Sequence, residues 1–323
     1  MQKKMNPVRL SARDCLFALL LALFAWPAFA QEKFPSRPIE FIVPWGPGGG
    51  SDQTARMLAT LLEKELKVAV PVVNVPGGTG NTGMTKLIAA PADGHSIAIL
   101  AWDSFATLAT QSPKWGMDDI LPLAIVIQLP SGLYVAGDRY PDWKAVEAAA
   151  KTRPLKVAIS GFGSPDDITA NYMISKGLRL TAVPFAKPGE RYSALLGGHV
   201  DLLYSPTGNV VGQVESKQMR PVLLLSAKRL PDFPAVPTST ESGYDITLPQ
   251  RRAIIVKAGT DPKRVAVLSQ ALERAVATAE YKAFLKKSYA SPDSWVSHKD
   301  SLRLMRKDLD DMRSIVKSMP KKN

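Results

Sequence analysis

The chain has one cysteine in 323 residues, Cys15, and only three histidines, His95, His199 and His298. Cys15 lies in an N-terminal segment read below as removable, so the rest of the chain carries no thiol. That excludes a disulfide framework, a thiolate nucleophile and a cysteine-based metal site. The histidines are far apart, with no His-Glu-x-x-His and no metal-ligand spacing, and each is read as surface or turn chemistry. No Gly-x-Ser-x-Gly elbow occurs either. Beyond residue 30 no apolar run approaches the ~20 residues needed to cross a bilayer, so no stable membrane insertion is expected. Bases are in excess, with a formal net charge of +12. They are scattered, with no run of five and no aromatic-interleaved basic motif, so nucleic acid is not an expected partner. The basic tail Lys317 to Asn323 reads as a solvated end.

What the N-terminus does have is the pattern of an export signal. Lys3, Lys4, Arg9 and Arg13 form a basic region, and Cys15 to Ala25 an apolar one. Ala28-Phe29-Ala30 then supplies the small-x-small pattern of a cleavage site, with Gln31 as the new N-terminus. The apolar stretch is too short for a membrane anchor and ends at Pro27. Removing residues 1–30 leaves 293 residues, enough for two domains of ~100–200 residues. It also takes away four bases and one acid, which lowers the charge to +9. Export with cleavage after Ala30 is expected.

The remaining chain alternates short β-branched runs with helical patterns, which predicts an α/β fold with largely parallel sheets. Strands are expected at Ile39–Val43, Val70–Val75 and Ser96–Ala101, with helices at about Gln53–Leu66 and Met84–Ala90 between them. A second set begins near residue 130, with strands Leu133–Ala136, Val157–Ser160, Thr181–Phe185, Val200–Tyr204 and Val222–Ser226, and a helix at Trp143–Lys151. Ala253–Val256 returns the chain toward the first set. Helices Pro262–Ala279, Tyr281–Lys287 and Lys299–Val316 close it. Leu302, Met305, Leu309, Met312 and Val316 form a packing stripe on the last of these.

The chemistry concentrates in glycine-rich strand-to-helix junctions. The first runs Pro44-Trp45-Gly46-Pro47-Gly48-Gly49-Gly50-Ser51-Asp52. The second runs from Asn74 to Gly83 and contains Gly77-Gly78-Thr79-Gly80-Asn81. A third, Ser160-Gly161-Phe162-Gly163-Ser164, lies in the second set. Glycines let backbone amides approach a ligand, and a following helix N-terminus favours an anion. In an open α/β sheet such junctions, at the carboxyl ends of strands, are where ligands sit. The first is neither a phosphate loop nor a dinucleotide fingerprint. No Lys-Ser or Lys-Thr follows Gly50, and Ser51 stands where a third glycine belongs. A lone glycine loop is a tight turn; a pair side by side suggests an anion cradle.

These residues resemble, as an ordered set, the tripartite tricarboxylate transporter solute-binding family, the Bug-type receptors. The likeness runs from Phe34-Pro35-Ser36-Arg37-Pro38-Ile39 through the first two glycine loops to Pro91-x-Asp93-Gly94 and Ser160-Gly161-x-Gly163-Ser164. It continues with Val183-Pro184-Phe185, Leu195 to Asp201, Ser226 to Arg229, Val236-Pro237-Thr238 and Ala258-Gly259-Thr260. The resemblance implies a type II periplasmic binding fold, two α/β lobes joined by crossing strands around a ligand cleft. Lobe 1 would comprise residues 31–128 and 246–323, and lobe 2 residues 129–245. It also implies a carboxylate ligand, one end held by Pro44–Asp52 and Gly77–Gly83 and the other covered by Ser160–Ser164. The receptor would act as a monomer without cofactor or metal, close on its solute, and deliver it transiently to membrane transporter subunits. A ligand-sensing co-receptor on the same fold is the alternative. An exported α/β enzyme fits less well, since no catalytic constellation is present.

Candidate ligand residues are therefore Trp45, Gly48, Gly49, Ser51 and Asp52; Gly78, Thr79, Gly80 and Asn81; and Ser160, Gly161, Gly163 and Ser164. Three positions depart from the family pattern. Pro165-Asp166-Asp167 replaces a small residue and Ser-His, Ala186 replaces a lysine beside Lys187, and Ser205-Pro206 replaces Asp-Asn. Asp167 and Ser205 are thus added to the candidates. Asp166 and Asp167 either cap a helix or meet the far end of the ligand. Asp52 either caps its helix or accepts a hydrogen bond from the solute, and Trp45 either walls the pocket or packs. Arg252 stands where relatives that bind multiply charged acids carry an arginine, and either forks a carboxylate or is solvated.

Overall fold

The computed structural model describes residues 33–318 apart from Ala186. The expectations for the signal segment, for cleavage after Ala30, for Ala186 and for the tail beyond Ser318 lie outside the described residues. Chain order begins with β1 (Glu40–Val43), α1 (Gly50–Leu66), β2 (Val72–Asn74), α2 (Asn81–Ala89), β3 (Ser96–Ala101), α3 (Asp103–Thr110) and β4 (Ile120–Leu129). There follow β5 (Ser131–Ala136), α4 (Trp143–Thr152), β6 (Leu155–Ile159), α5 (Pro165–Ser175), β7 (Leu180–Pro184), α6 (Pro188–Leu196), β8 (Leu202–Pro206), α7 (Val211–Glu215) and β9 (Met219–Leu225). The last elements are β10 (Gln250–Lys257), α8 (Pro262–Ala277), α9 (Ala279–Lys287) and α10 (His298–Ser318).

Two five-stranded sheets result, in the orders β2-β1-β3-β10-β4 and β7-β6-β8-β5-β9. Each is parallel over its first three strands. In each the fourth strand is then antiparallel to both neighbours: β10 to β3 and β4, and β5 to β8 and β9. The sheets are thus mixed and not largely parallel. The reason is the connectivity, because the chain crosses between sheets at Pro130 and again over 226–249. Each crossing inserts a reversed strand next to the parallel set, which is the arrangement of the type II binding fold.

Phe41, Ile42 and Val43 are fully buried, as a parallel strand covered on both faces requires. On α1, Ala55, Leu58, Ala59 and Leu62 face inward at the helical period. Full burial of a side chain such as Phe41 or Leu58 contributes about 2 kcal/mol. Met305, Leu309 and Met312 of α10 are buried, and Ser301 Oγ accepts from the Ile125 amide of β4 at 3.0 Å, so the C-terminal helix is fastened to the first sheet. Helix α1 begins at Gly50, three residues before the expected Gln53, because Gly49 takes the extended N-cap conformation.

Among the elements that escape the sequence patterns are β4 and α3. Strand β4 contains Pro122, which argues against a strand; it is tolerated where the pairing with β10 shifts register between Ile254 and Ile255. Helix α3 has Trp102 as N-cap, with no side-chain cap, so no start signal precedes it. None of the helices among the described residues is long and apolar enough to cross a membrane.

Candidate functional site

The carboxyl ends of β1 and β3 in the first sheet face those of β6 and β8 in the second across a cleft. Trp45, Gly49, Gly50 and Ser51 line it from the first junction, and Ala101 and Asp103 from the end of β3. Ser160, Asp166 and Arg191 line it from lobe 2, and Gln250 and Arg252 from β10. Its enclosed space is about 60 Å³, well below the ~300 Å³ or more of sites for drug-sized ligands, which favours a small solute. The lobes are closed over it: Thr110 Oγ1 of α3 donates to the Gly163 carbonyl at 3.2 Å. Arg252 Nη2 donates to Asn209 Oδ1 of lobe 2 at 2.8 Å. A larger, mostly apolar groove at the chain crossings, lined by Leu129, Leu225, Leu285 and Tyr289 among others, shares no residue with this cleft. The polar chemistry is in the cleft.

The lobe 1 wall presents a helix N-terminus and a buried cation, with Asp103 beside them. Gly49, the N-cap of α1, has no side chain to satisfy the first-turn amides, which lack intrahelical acceptors. Arg252, 4% exposed, crosses that first turn. Its guanidinium donates to Thr54 Oγ1 at 3.1 Å and to Asn209, both neutral. Burial pushes its pKa down to about 10, eased by the charge of Asp103, so it stays a cation at neutral pH. A Cβ at Gly50 would lie 1.9 Å from Asn209 Oδ1 and 2.3 Å from Arg252 Nη2, so a side chain there would displace both.

The lobe 2 wall carries an acid that is already engaged. Asp166 Oδ2 accepts from the Ser160 amide at 2.5 Å and from Arg191 Nη1 at 3.2 Å, and Oδ1 from Ser160 Oγ at 2.9 Å. Both members of the Asp166–Arg191 pair are buried. Tyr204 Oη donates to Ser131 Oγ at 2.8 Å and accepts from Gln250 Nε2 at 3.2 Å, tying β8 to both crossing strands. Asp103 is different. It is enclosed by protein yet keeps some accessible surface toward the cleft. Its pKa is raised to about 6, first by burial and then by the charge of Asp166, against the pull of Arg191 and Arg252.

Known proteins place this architecture. The family model described as "Tripartite tricarboxylate transporter family receptor", TctC, matches residues 54–320. The chain belongs to the TctC family. Protein BugT of Bordetella pertussis is 31% identical over 283 residues, covering 84% of this chain and 86% of that one. A ligand-free TctC solute-binding protein from Polaromonas aligns over 88% of this chain and 100% of its own, with a TM-score of 0.67 and 27% identity. MatC of Rhodopseudomonas palustris, solved with bound malate, has the same fold, with a TM-score of 0.80 at 23% identity over 88% of this chain and 100% of its own. As a member of the TctC family, the chain is a periplasmic solute-binding protein of the type II fold, and the family is one of receptors.

Of the residues expected from the sequence, Trp45, Gly49, Ser51, Ser160 and Arg252 line the cleft. The others do not. Asp52 is buried behind the loop, where it accepts from the Gly48 amide at 2.9 Å, from Arg56 Nε at 3.0 Å and from Asn74 Nδ2 at 3.0 Å. Burial would raise its pKa, but these hydrogen bonds win and hold it below the usual carboxylate value. Gly78, Thr79, Gly80 and Asn81 form a one-turn 3-10 helix and the start of α2. The Trp45 ring packs against Gly80, where a Cβ would sit 3.2 Å from it, and Asn81 Oδ1 accepts from Trp115 Nε1 at 2.9 Å. The second glycine loop therefore buttresses the first, and Thr79 also reaches lobe 2, where a Cβ on Gly161 would lie 3.3 Å from its Oγ1.

In lobe 2, Ser164 caps α5 by accepting from the Asp167 amide at 3.3 Å, and its hydroxyl donates to the Gly161 carbonyl at 2.5 Å. Asp167 accepts from the Gly163 amide at 2.9 Å and from Asn171 Nδ2 at 3.0 Å. Ser205 Oγ donates to the Pro206 carbonyl at 3.2 Å. Asp103, Arg191, Tyr204, Asn209 and Gln250 are the polar lining residues that sequence reasoning did not reach. Asp103 had one signal, its place at the carboxyl end of a strand. Arg191, on α6, had none.

Proposed function

We propose that this receptor captures a small carboxylate by closing its lobes and hands it to the membrane subunits of a tripartite tricarboxylate-type transporter. The ligand's carboxylate would sit at the first turn of α1, between the uncapped amides of Gly50 and Ser51 and the guanidinium of Arg252. The observation that carries this reading is Arg252 itself, a buried cation whose hydrogen-bond partners are neutral, aimed into the cleft at a helix N-terminus. Charge-assisted bonds to such a pair of sites are the strong kind, and the malate bound in MatC supports an acid of this size. The mature receptor would start at Gln31 and work as a monomer, with lobe 1 formed by 31–128 and 246–323 and lobe 2 by 129–245. Titration calorimetry with mono- and dicarboxylates and amino acids tests the reading. Arg252→Ala should weaken the tightest acid roughly 10- to 100-fold, the loss of a hydrogen bond to a charged group. Unchanged affinity would remove Arg252 from the site.

A further inference from the structure

The cleft holds four charges, and they are not paired symmetrically. Asp166 and Arg191 neutralise each other, and the carboxylate of Asp166 is occupied by three donors. That leaves Arg252, with neutral partners, and Asp103, which feels Arg252, Arg191 and Asp166 through space. No side chain among the described residues hydrogen-bonds to the Asp103 carboxylate; its one such partner is its own backbone amide. Asp103 is not the N-cap of α3, which is Trp102, but an acid of its first turn. The side chains lining the cleft therefore balance to zero net charge, with a cation and an anion that no side-chain hydrogen bond joins.

A ligand that leaves no charge unpaired must bring both signs. A carboxylate meets Arg252 and the α1 amides, and a cationic donor meets Asp103. An acid with a second carboxylate would instead set that group against Asp103 and Asp166, which a dry cleft penalises unless a proton is taken up. We propose that Asp103 is a specificity-determining residue that receives an ammonium group, so that the receptor selects a zwitterionic acid over a dicarboxylate. This rests on the carboxylate-receptor reading above.

The test compares matched ligands. Affinities are measured by calorimetry for α,ω-amino acids from glycine to 5-aminopentanoate, the common L-amino acids, the diacids from malonate to adipate, and the matching diamines, each at pH 5 and pH 7.5. The tightest amino acid should bind roughly 10-fold or more tightly than any diacid at pH 7.5, the scale of one charge-assisted bond. Its affinity should rise from pH 5 to 7.5 as Asp103 ionises, while that of a diacid falls. In Asp103→Asn, whose fold is checked by its thermal melt, the preference and the pH dependence should both vanish, with diacid affinity kept or raised. A diacid that binds more tightly at pH 7.5, or a preference unmoved in Asp103→Asn, overturns the inference and leaves the carboxylate reading standing. Binding of diamines with no acid of either series overturns both. The two-pH comparison on the wild-type protein holds whether or not the variant folds.

Discussion

Gly48 to Asp52 in lobe 1 and Gly163 to Asp167 in lobe 2 follow strands β1 and β6, which occupy the same place in their sheets. Both junctions begin with a glycine in the left-handed region, φ 82° at Gly48 and 77° at Gly163. Both end in an aspartate that takes the amide of that glycine at 2.9 Å. Between these fixed points they diverge. Lobe 1 has Gly49, Gly50 and Ser51, so its helix is uncapped and its cleft-facing residue is neutral. Lobe 2 has Ser164, Pro165 and Asp166, so its helix is self-capped and its cleft-facing residue is an acid. One backbone device thus leaves first-turn amides open on one side of the cleft and places a paired acid on the other. The structural acid is the last residue of the junction; the residue before it sets which group faces the cleft.

The largest effect should come from breaking the lobe 2 acid. Asp166→Ala leaves Arg191 buried without its partner and the Ser160 amide without its acceptor, and should cost about 3–5 kcal/mol in urea denaturation. Asp52→Ala, in lobe 1, strips three donors of a buried acceptor and should cost about 3 kcal/mol. Because Asp52 does not line the cleft, the surviving folded protein should keep its ligand affinity. A loss of affinity in Asp52→Ala out of proportion to its loss of stability would return Asp52 to the ligand shell.

Much of this architecture can be read from the residues. The strand-to-helix alternation, the apolar stripes of α1 and α10, and the glycine loops at strand ends all follow local rules of period and backbone freedom. The antiparallel fourth strand of each sheet does not, because it depends on where the chain crosses, and a strand's direction leaves no mark in its composition. The site divides in the same way. Gly49, Ser51 and Arg252 lie in or beside patterns that carry the family resemblance. Asp103 and Arg191 are brought together from α3 and α6 by lobe closure, and their meaning lies in which charges face each other, a property of the assembled cleft. The second glycine loop packs on Trp45 through Gly80, a contact that its glycine pattern alone does not reveal.

The two junction glycines sharpen the comparison at a smaller scale. An alanine at either must hold a left-handed backbone, at about 1–2 kcal/mol. At Gly48 there is open space, whereas at Gly163 the new Cβ would lie 2.6 Å from Thr110 Oγ1 of the other lobe. Gly48→Ala should therefore lower stability alone. Gly163→Ala should also weaken ligand binding, because its clash arises when the lobes shut, and Thr110→Ala should restore that part. Equal binding losses in the two variants would mean that the Thr110 contact plays no part in closure.

The smallest effect separates Asp52 from Asp103 by pH. The hydrogen bonds to Asp52 lower its pKa in the folded state. Its stabilisation is therefore complete above the ordinary carboxylate value of ~4 and is lost as pH falls below it. For Asp103 the sign reverses. With its folded value raised to about 6, the native state binds the extra proton, so stability falls as pH rises from ~4 through 6. Unfolding free energies from pH 3 to 8 in ligand-free protein should show Asp52→Asn flattening the acid arm and Asp103→Asn flattening the decline between pH 4 and 6. If Asp103→Asn left that decline intact, the acid facing the cleft would have to draw a partner from across it, and the cleft would lose its unpaired anion.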